Sequence, residues 1–187
     1  MIFETSLPYR YFLRGATLYD GTGGRLEDAT VVVEGGKIRG VFTGGELPAE
    51  SVWFDLRGLA MTPGLIDCHV HILSHSGETP VHPSWAYTTF VEEQVLHAAA
   101  NARTALDYGI TTLRDMASSR AEIALANALR SHVVPGPQLL TCGFVGMTAG
   151  HGDLFWPGAL PQRPWVTADG VDACRKLVRE YARMGAD

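Results

Sequence analysis

The chain has 187 residues, 46% of them hydrophobic and 19% charged, which is the balance of an ordinary globular protein with a core. Its formal net charge of −5 argues against nucleic acid and against an anionic membrane surface as partners. No apolar run approaches the roughly 18–20 residues of a membrane-spanning helix, and no cationic segment followed by an apolar core indicates a signal peptide.

Cysteine usage bears on the cellular compartment. Cys68, Cys142 and Cys174 are few, odd in number and widely separated. This pattern predicts reduced thiols in a cytoplasmic protein and no disulfide framework. Cys68 lies between Asp67 and His69, and we expect it to be a small buried side chain and not a metal ligand.

The first 62 residues predict a small all-β unit. Its β-like runs are separated by glycine-rich breaks and cover residues 11–18, 29–33, 37–42 and 51–55. The valines of 31–33, followed by Gly35-Gly36 and then Lys37-Ile38, predict a β-hairpin.

After residue 62, strands alternate with helices three times. The predicted strands cover residues 65–72, 110–115 and 138–142. The predicted helices run from 84 or 88 to 108, from about 120 to 131, and from 167 or 169 to 184. Ser119 and Glu122 have the spacing of a capping box at the start of the second helix. The alternation predicts an α/β fold, with a parallel sheet or barrel built of βα units.

Two of these helices have apolar stripes that we expect to face the core. The stripe residues are Val91, Val95, Ala98, Ala102 and Leu106 on the first helix, and Val171, Cys174, Val178 and Tyr181 on the last.

Three βα units cannot close a barrel that needs eight such units. We therefore expect the chain to be the front part of a longer protein.

Residues 63–71, Pro-Gly-Leu-Ile-Asp-Cys-His-Val-His, contain the most informative pattern. On a strand His69 and His71 point to the same side, opposite Val70, where two imidazoles can share one metal ion. A bare His-x-His is more often a pair of exposed or core histidines. Leu65 and Ile66, which predict a buried strand leading to the pair, favour the metal site.

Four segments together resemble the N-terminal portion of a metal-dependent hydrolase of the amidohydrolase superfamily, in its imidazolonepropionase-like and metallo-dipeptidase-like branch. They are residues 20–23 with the valine-rich strand that follows, 63–71, 109–115 and 136–152. The resemblance implies a (β/α)8 TIM-like barrel with a β-sandwich assembled from both chain ends. Residues 1–62 would be the N-terminal part of that sandwich, and 63–187 the first three βα units, truncated before strand four.

The same resemblance implies the chemistry. His69 and His71 would hold one of one or two divalent ions, with zinc favoured and manganese, iron or nickel also accepted by such ligands. A metal-activated water would hydrolyse a C–N bond in a small-molecule amide, cyclic amide or dipeptide. The bridging lysine and the proton-transferring aspartate of the family are absent from this chain, so its catalytic residues stay unknown. We expect the chain alone to bind metal weakly and to be inactive.

Other residues near the predicted strand ends are weaker candidates. His151, between two glycines in the loop after the third strand, is interpreted as substrate-binding; the alternative is a loop histidine without a role. Arg114 and Asp115 could brace the metal ligands as a buried pair or form an ordinary ion pair. His75 and His82 are better explained as exposed loop histidines. Trp85, Trp156 and Trp165 could line a pocket, although packing under long loops is at least as good an explanation.

Two other classes of function stay open. The chain could belong to a non-catalytic relative that uses the barrel as a scaffold or assembly module. It could also be a stand-alone α/β binding domain, although its unpaired sheet edges would then be an aggregation hazard. The histidine pair favours the hydrolase. Oligomeric state cannot be derived from these patterns, and a homo-oligomer stays open.

Overall fold

The computed structural model describes residues 7–74, 85–150, 153, 158–159 and 166–187. The chain divides into two compact units, residues 1–63 and 64–187. In the part that is described, no helix combines the length and the apolar character needed to cross a bilayer.

The first unit is a mostly antiparallel sheet. Its strands are β1 (Arg10–Tyr19), β2 (Arg25–Glu34), β3 (Lys37–Thr43), β4 (Trp53–Asp55) and β5 (Ala60–Met61). The order is β3-β2-β1-β4, with β5 also beside β1, and both short strands run parallel to β1. Strand β2 is central, and its segment from Ala29 to Val33 is buried throughout. The predicted all-β unit is confirmed.

Two turns in this unit follow directly from local chemistry. Glu34 pairs with Lys37 across Gly35-Gly36, and both glycines have positive φ (58° and 72°), so the predicted hairpin is confirmed. Ahead of β2, the Asp20 carboxylate accepts hydrogen bonds from the amides of Thr22 (2.7 Å) and Gly24 (2.9 Å). These bonds, the one from Thr22 first, lower the pKa of Asp20 below its usual value.

The second unit alternates strands and helices. Its strands β6 (Leu65–Val70), β7 (Ile110–Asp115) and β8 (Gln138–Thr141) form a parallel sheet in the order β6-β7-β8. Its helices are α1 (Trp85–Thr88), α2 (Val91–Asp107), α3 (Arg120–Arg130) and α4 (Val171–Met184). The predicted parallel sheet of βα units is confirmed.

One face of this sheet is covered by α2 and α3. Leu113 of β7 and Leu139 of β8 pack there with small residues of α2 and leucines of α3. Ala98 and Ala102 of α2 are fully buried, which lets that helix approach the sheet closely. The hydrophobic contacts on this face fix which side of each strand is internal.

The helix termini match their sequence signals. Ser119 accepts a hydrogen bond from the Ala121 amide (3.1 Å), and its own amide donates to Glu122 (2.6 Å), so the predicted capping box is confirmed. Helix α4 ends at Gly185, whose φ of 98° is left-handed, as expected for a C-terminal glycine.

The predicted apolar stripes are partly wrong. Val91, Val171 and Val178 are at least half exposed, although each was expected to face the core. Ala98 and Ala102 of α2 and Tyr181 of α4 are buried as predicted, and Gln94 and Leu177 are buried although the stripes did not include them. The stripes follow from the helical spacing of apolar residues alone, whereas the angle at which each helix meets its neighbours decides which of those positions are buried.

Two predicted element boundaries also shift. Strand β6 ends at Val70 and not at residue 72, because the Ser74 amide donates to the His71 carbonyl and turns the chain (2.9 Å). The first predicted helix is divided into the short α1 and the longer α2, which starts at Val91.

Candidate metal centre at the end of strand β6

Strand β6 has an irregular register immediately before its two histidines. Asp67 lies opposite Leu113 of β7, whereas Val70 lies opposite Asp115. Three steps along β6 therefore match two steps along β7, which is the count of a β-bulge. Because side chains alternate with a period of two, one inserted residue sends every later side chain to the other face of the sheet.

This bulge decides which face receives His69 and His71. Leu113 is buried against the helices, and an unbroken register from Asp67 would direct both histidines to that same face. Instead, Val70 packs on the helix side, and both histidines are exposed. By alternation from Val70 they lie on the sheet face opposite the helices, whereas the sequence pattern predicts only that both lie opposite Val70.

The two imidazole rings lie side by side. Their centroids are 5.3 Å apart and their planes are inclined by 76°. Two imidazoles that share a tetrahedral zinc ion, each at roughly 2.0–2.1 Å, have centroids about 5 Å apart. The ring spacing and the donor chemistry of His69 and His71 therefore fit two ligands of one divalent ion.

The ring of His71 is oriented by a backbone carbonyl. Its Nδ1 lies 2.9 Å from the carbonyl oxygen of Met116, just beyond β7. A carbonyl oxygen can only accept, so Nδ1 carries the proton and, in the neutral ring, Nε2 keeps its lone pair. Metal-binding histidines are commonly oriented in this way. The amide of His69 is held by the Asp67 carboxylate at 3.1 Å.

A buried carboxylate lies on the helix side of the same strand ends. Asp115 is fully buried and accepts from the Ile72 amide and from the Ser118 hydroxyl, both at 2.7 Å. Burial raises the pKa of Asp115 above its usual value, although these two bonds and the nearby His71 act in the opposite direction.

Glu122 is a second buried carboxyl group in this region. Its side chain is 7% exposed and closes the capping box of α3. Burial raises the pKa of Glu122 above its usual value, and the charge of Asp115 adds to that effect, while bonds from Ser119 oppose it.

Two predictions about residues around the pair are wrong. Arg114 and Asp115 do not pair, because successive residues of β7 point to opposite faces: Asp115 is buried, whereas Arg114 is exposed and donates to the Cys68 carbonyl at 3.5 Å. Cys68 itself is exposed and not buried. Cys68 lies within the bulge of β6. In the described part of the chain, strand β6 is at the edge of its sheet and pairs only with β7.

The expected burial of the strand leading to the histidines is also wrong. Leu65 and Ile66 are 56% and 64% exposed. Ile66 lies opposite Thr112, so it points to the sheet face away from the helix-covered Leu113. A strand buried on both faces requires a second covering layer.

The structure does not test every candidate. His151, His75, His82, Trp156 and Trp165 lie outside the described residues. Trp85 is described: its Nε1 donates to the Leu73 carbonyl (3.3 Å), and its ring meets the His97 ring edge-on at 5.1 Å. Among the described residues, no cluster of three or more potential ligands accompanies the histidine pair.

Two residues of the site were missed by sequence reasoning. Asn101 of α2 donates to the carbonyls of Ile72 and Ser74, each at 3.1 Å, and so holds the turn that follows His71. A polar residue beside the buried Ala98 and Ala102 was the available signal. Met116 acts through its backbone, for which sequence carries no signal.

A family profile settles the wider relationship. The profile of the amidohydrolase family matches residues 60–187, a stretch that contains the histidine pair and all three strands of the second sheet. The chain belongs to the amidohydrolase family. The resemblance found in the sequence motifs is thereby confirmed.

Several characterised hydrolases are similar to this amidohydrolase chain. Ochratoxinase of Aspergillus niger is 28% identical over 191 residues, covering 90% of this chain and 39% of that protein. Its crystal structure superposes with a TM-score of 0.75 over 95% of the chain at 26% identity. An imidazolonepropionase of Cereibacter sphaeroides is 45% identical over 60 residues, which cover 32% of this chain and 15% of that protein.

A prolidase structure gives a similar picture. The enzyme, solved in complex with N-methylphosphonate-L-proline, has a TM-score of 0.78 and 28% identity and covers 95% of this chain and 45% of its own. This amidohydrolase chain thus spans less than half the length of the relatives that it matches over nearly its whole length.

Proposed function

We propose that this chain forms the N-terminal part of a metal-dependent hydrolase that acts on C–N bonds of small amides, cyclic amides or dipeptides. Family membership and relatives named ochratoxinase, imidazolonepropionase and prolidase support a hydrolase. The observation that carries the metal dependence is the pair of imidazole rings, 5.3 Å apart on an exposed face at the end of a parallel strand.

The proposed architecture places this pair at the mouth of a barrel. Residues 63–187 would contribute the first three βα units, and residues 1–62 the N-terminal part of a composite β-sandwich. The parallel order β6-β7-β8 with helices on one face supports such a barrel start. In a (β/α)8 barrel the carboxyl ends of the strands carry the chemistry, and His69 and His71 lie at such an end.

His69 and His71 are the proposed ligands, and zinc is the favoured ion. When bound, a divalent ion supplies Lewis-acid chemistry, which polarises a carbonyl group and makes water more acidic. The residues of this chain hold and orient the donors: the Met116 carbonyl keeps the Nδ1 proton of His71, so that Nε2 is free to ligate. We further propose that His151 contacts the substrate.

The histidine pair can be tested by three matched substitutions. His69→Asn and His71→Asn, made in the complete gene product that contains these residues, are expected to reduce bound zinc and to abolish hydrolysis of a dipeptide and cyclic-amide panel. His132→Asn is the control, since His132 is exposed after α3 and asparagine tolerates its left-handed φ of 57°.

Metal content by mass spectrometry and zinc titration calorimetry measure the effect independently of activity. Zinc binding that is unchanged in both variants would exclude the proposed ligands. Zinc binding without hydrolysis of any C–N substrate in the unmutated protein would favour a non-catalytic scaffold.

A further inference from the structure

We propose that Asp115 is a positioning residue for His71: its buried carboxylate holds the Ile72 amide, which keeps the His71 ring on the Met116 carbonyl with Nε2 free. This inference rests on the proposed metal site. In this proposal Asp115 acts without Arg114, through the backbone of the residue that follows His71.

Three consecutive residues after the bulge are each tied to the end of β7. The Met116 amide donates to the Val70 carbonyl (2.9 Å), His71 Nδ1 donates to the Met116 carbonyl (2.9 Å), and the Ile72 amide donates to Asp115 Oδ1 (2.7 Å). On the β7 side, the first two bonds use the backbone amide and carbonyl of Met116, just beyond the strand. The third bond uses the side chain of Asp115, so it can be removed by a substitution that leaves the proposed ligands themselves unchanged.

The carboxylate is itself immobilised. Its other oxygen, Oδ2, accepts from the Ser118 hydroxyl at 2.7 Å, and the Ser118 oxygen in turn accepts from the Cys142 amide after β8 at 3.3 Å. Asp115 and Ser118 are both fully buried, so water does not compete for these bonds. Asp115 thus links the backbone of Ile72 to β7 and, through Ser118, to the end of β8.

Ile72 is also held at its carbonyl group, by a residue of α2. Asn101 of α2 holds the Ile72 carbonyl at 3.1 Å, while Asp115 holds the Ile72 amide. The amide and the carbonyl of Ile72 are therefore both hydrogen-bonded, and Ile72 directly follows the proposed ligand His71. Loss of the amide contact leaves a buried N–H without its partner, and the backbone is expected to move to recover one.

The decisive measurement is the tautomer of His71. In the metal-free complete gene product with ring-15N histidine, at about pH 8 where a histidine is ordinarily neutral, long-range 1H–15N spectra should find the Nδ1–H form of His71. Asp115→Ala should give a mixture of both tautomers and weaken zinc binding about 10- to 100-fold. Asp115→Asn keeps an acceptor for the Ile72 amide and should restore the Nδ1–H form.

Asp107→Ala is the matched control. Asp107 is an exposed aspartate paired with Arg103 at 3.0 Å on α2, and its loss should change neither the tautomer nor zinc affinity. An Asp115→Ala protein that melts cooperatively yet retains the Nδ1–H form and the unmutated zinc affinity overturns the inference.

Two further variants separate the possible failures. Ser118→Ala removes the contact with Oδ2 in case Asp115→Ala does not fold; a smaller shift toward the other tautomer is expected, and no shift counts against the proposal. If His71→Asn leaves zinc binding intact, the metal site itself is wrong. If His71→Asn abolishes binding while the Asp115 and Ser118 variants do not, only the positioning role is wrong.

Discussion

Glu122 is held by two effects that act in opposite directions on its charge. Ser119 donates to its carboxylate from both its amide and its hydroxyl, which favours the charged form. Burial of Glu122 in the first turn of α3 disfavours that form and is the larger effect, so the pKa of Glu122 is raised above its ordinary 4.5. The capping box of α3 thus holds the carboxylate of Glu122 in a buried position, where its negative charge lowers the stability of the fold.

This conflict predicts a pH dependence of stability. A raised folded-state pKa means that the contribution of Glu122 is fully present below about pH 4.5 and is lost as the pH rises through the folded-state value. Glu122→Gln stays neutral, so its free energy of unfolding relative to the unmutated chain should increase as the pH rises above that point. Urea unfolding between about pH 3.5 and 8 measures this difference.

Glu46→Gln provides the comparison for an exposed glutamate. Its stability relative to the unmutated chain should not diverge with pH in the same way. Parallel pH profiles for Glu122→Gln and the unmutated chain would contradict the account of a costly buried charge.

At the level of elements, the start of β6 depends on the absence of a side chain. A Cβ added at Gly64 would lie 2.7 Å from the Cβ of Thr111 on β7 and in contact with its hydroxyl. The neighbouring Leu65 amide makes the first bond between the strands, to the Gly109 carbonyl at 2.9 Å. The Pro-Gly that precedes the histidine motif therefore has a packing role besides starting a strand.

Gly64→Ala should separate β6 from β7 at this point and lower the free energy of unfolding by about 1–3 kcal/mol, the usual cost of overpacking. Gly158→Ala is the control, because a Cβ there meets nothing within 4 Å. Combining Gly64→Ala with Thr111→Ala should recover part of the loss, since two of the contacted atoms are removed. Equal stability of the Gly64 and Gly158 variants in chemical denaturation would disprove the close approach.

The elements also show where sequence reasoning succeeds. The Gly35-Gly36 hairpin and the Ser119–Glu122 capping box are decided by residues within a few positions of one another, and both were predicted. The exposure of Val171 and Val178 on α4 and the opposite orientations of Arg114 and Asp115 were not. Burial of a helix or strand face depends on partners distant in sequence, which local periodicity does not identify.

For the whole molecule, the number of metal ligands is the main consideration. Zinc sites in proteins use three or four protein ligands, and the described residues bring together the two of His69 and His71. The chain also spans 39% of the ochratoxinase that it resembles over nearly its full length. Further ligands are therefore expected from residues outside the described part.

This predicts a difference between the 187-residue chain and the complete gene product. The chain by itself should bind zinc measurably more weakly and should not hydrolyse a C–N substrate, because two imidazoles leave the remaining coordination positions to water. Competition with a chromogenic zinc chelator measures both affinities under one condition. The same affinity for the two proteins, or turnover by the chain alone, would mean that the site is completed within these residues.

The sequence by itself determined the family, the order of strands and helices, and the fact that His69 and His71 lie on one side of a strand. These features depend on local spacing, since side-chain alternation and turn chemistry act over a few residues. Only the tertiary structure decided which face of the sheet that side is. The bulge between Asp67 and Val70 exists in the pairing of β6 with β7, and the contacts that orient His71 come from residues more than 40 positions away.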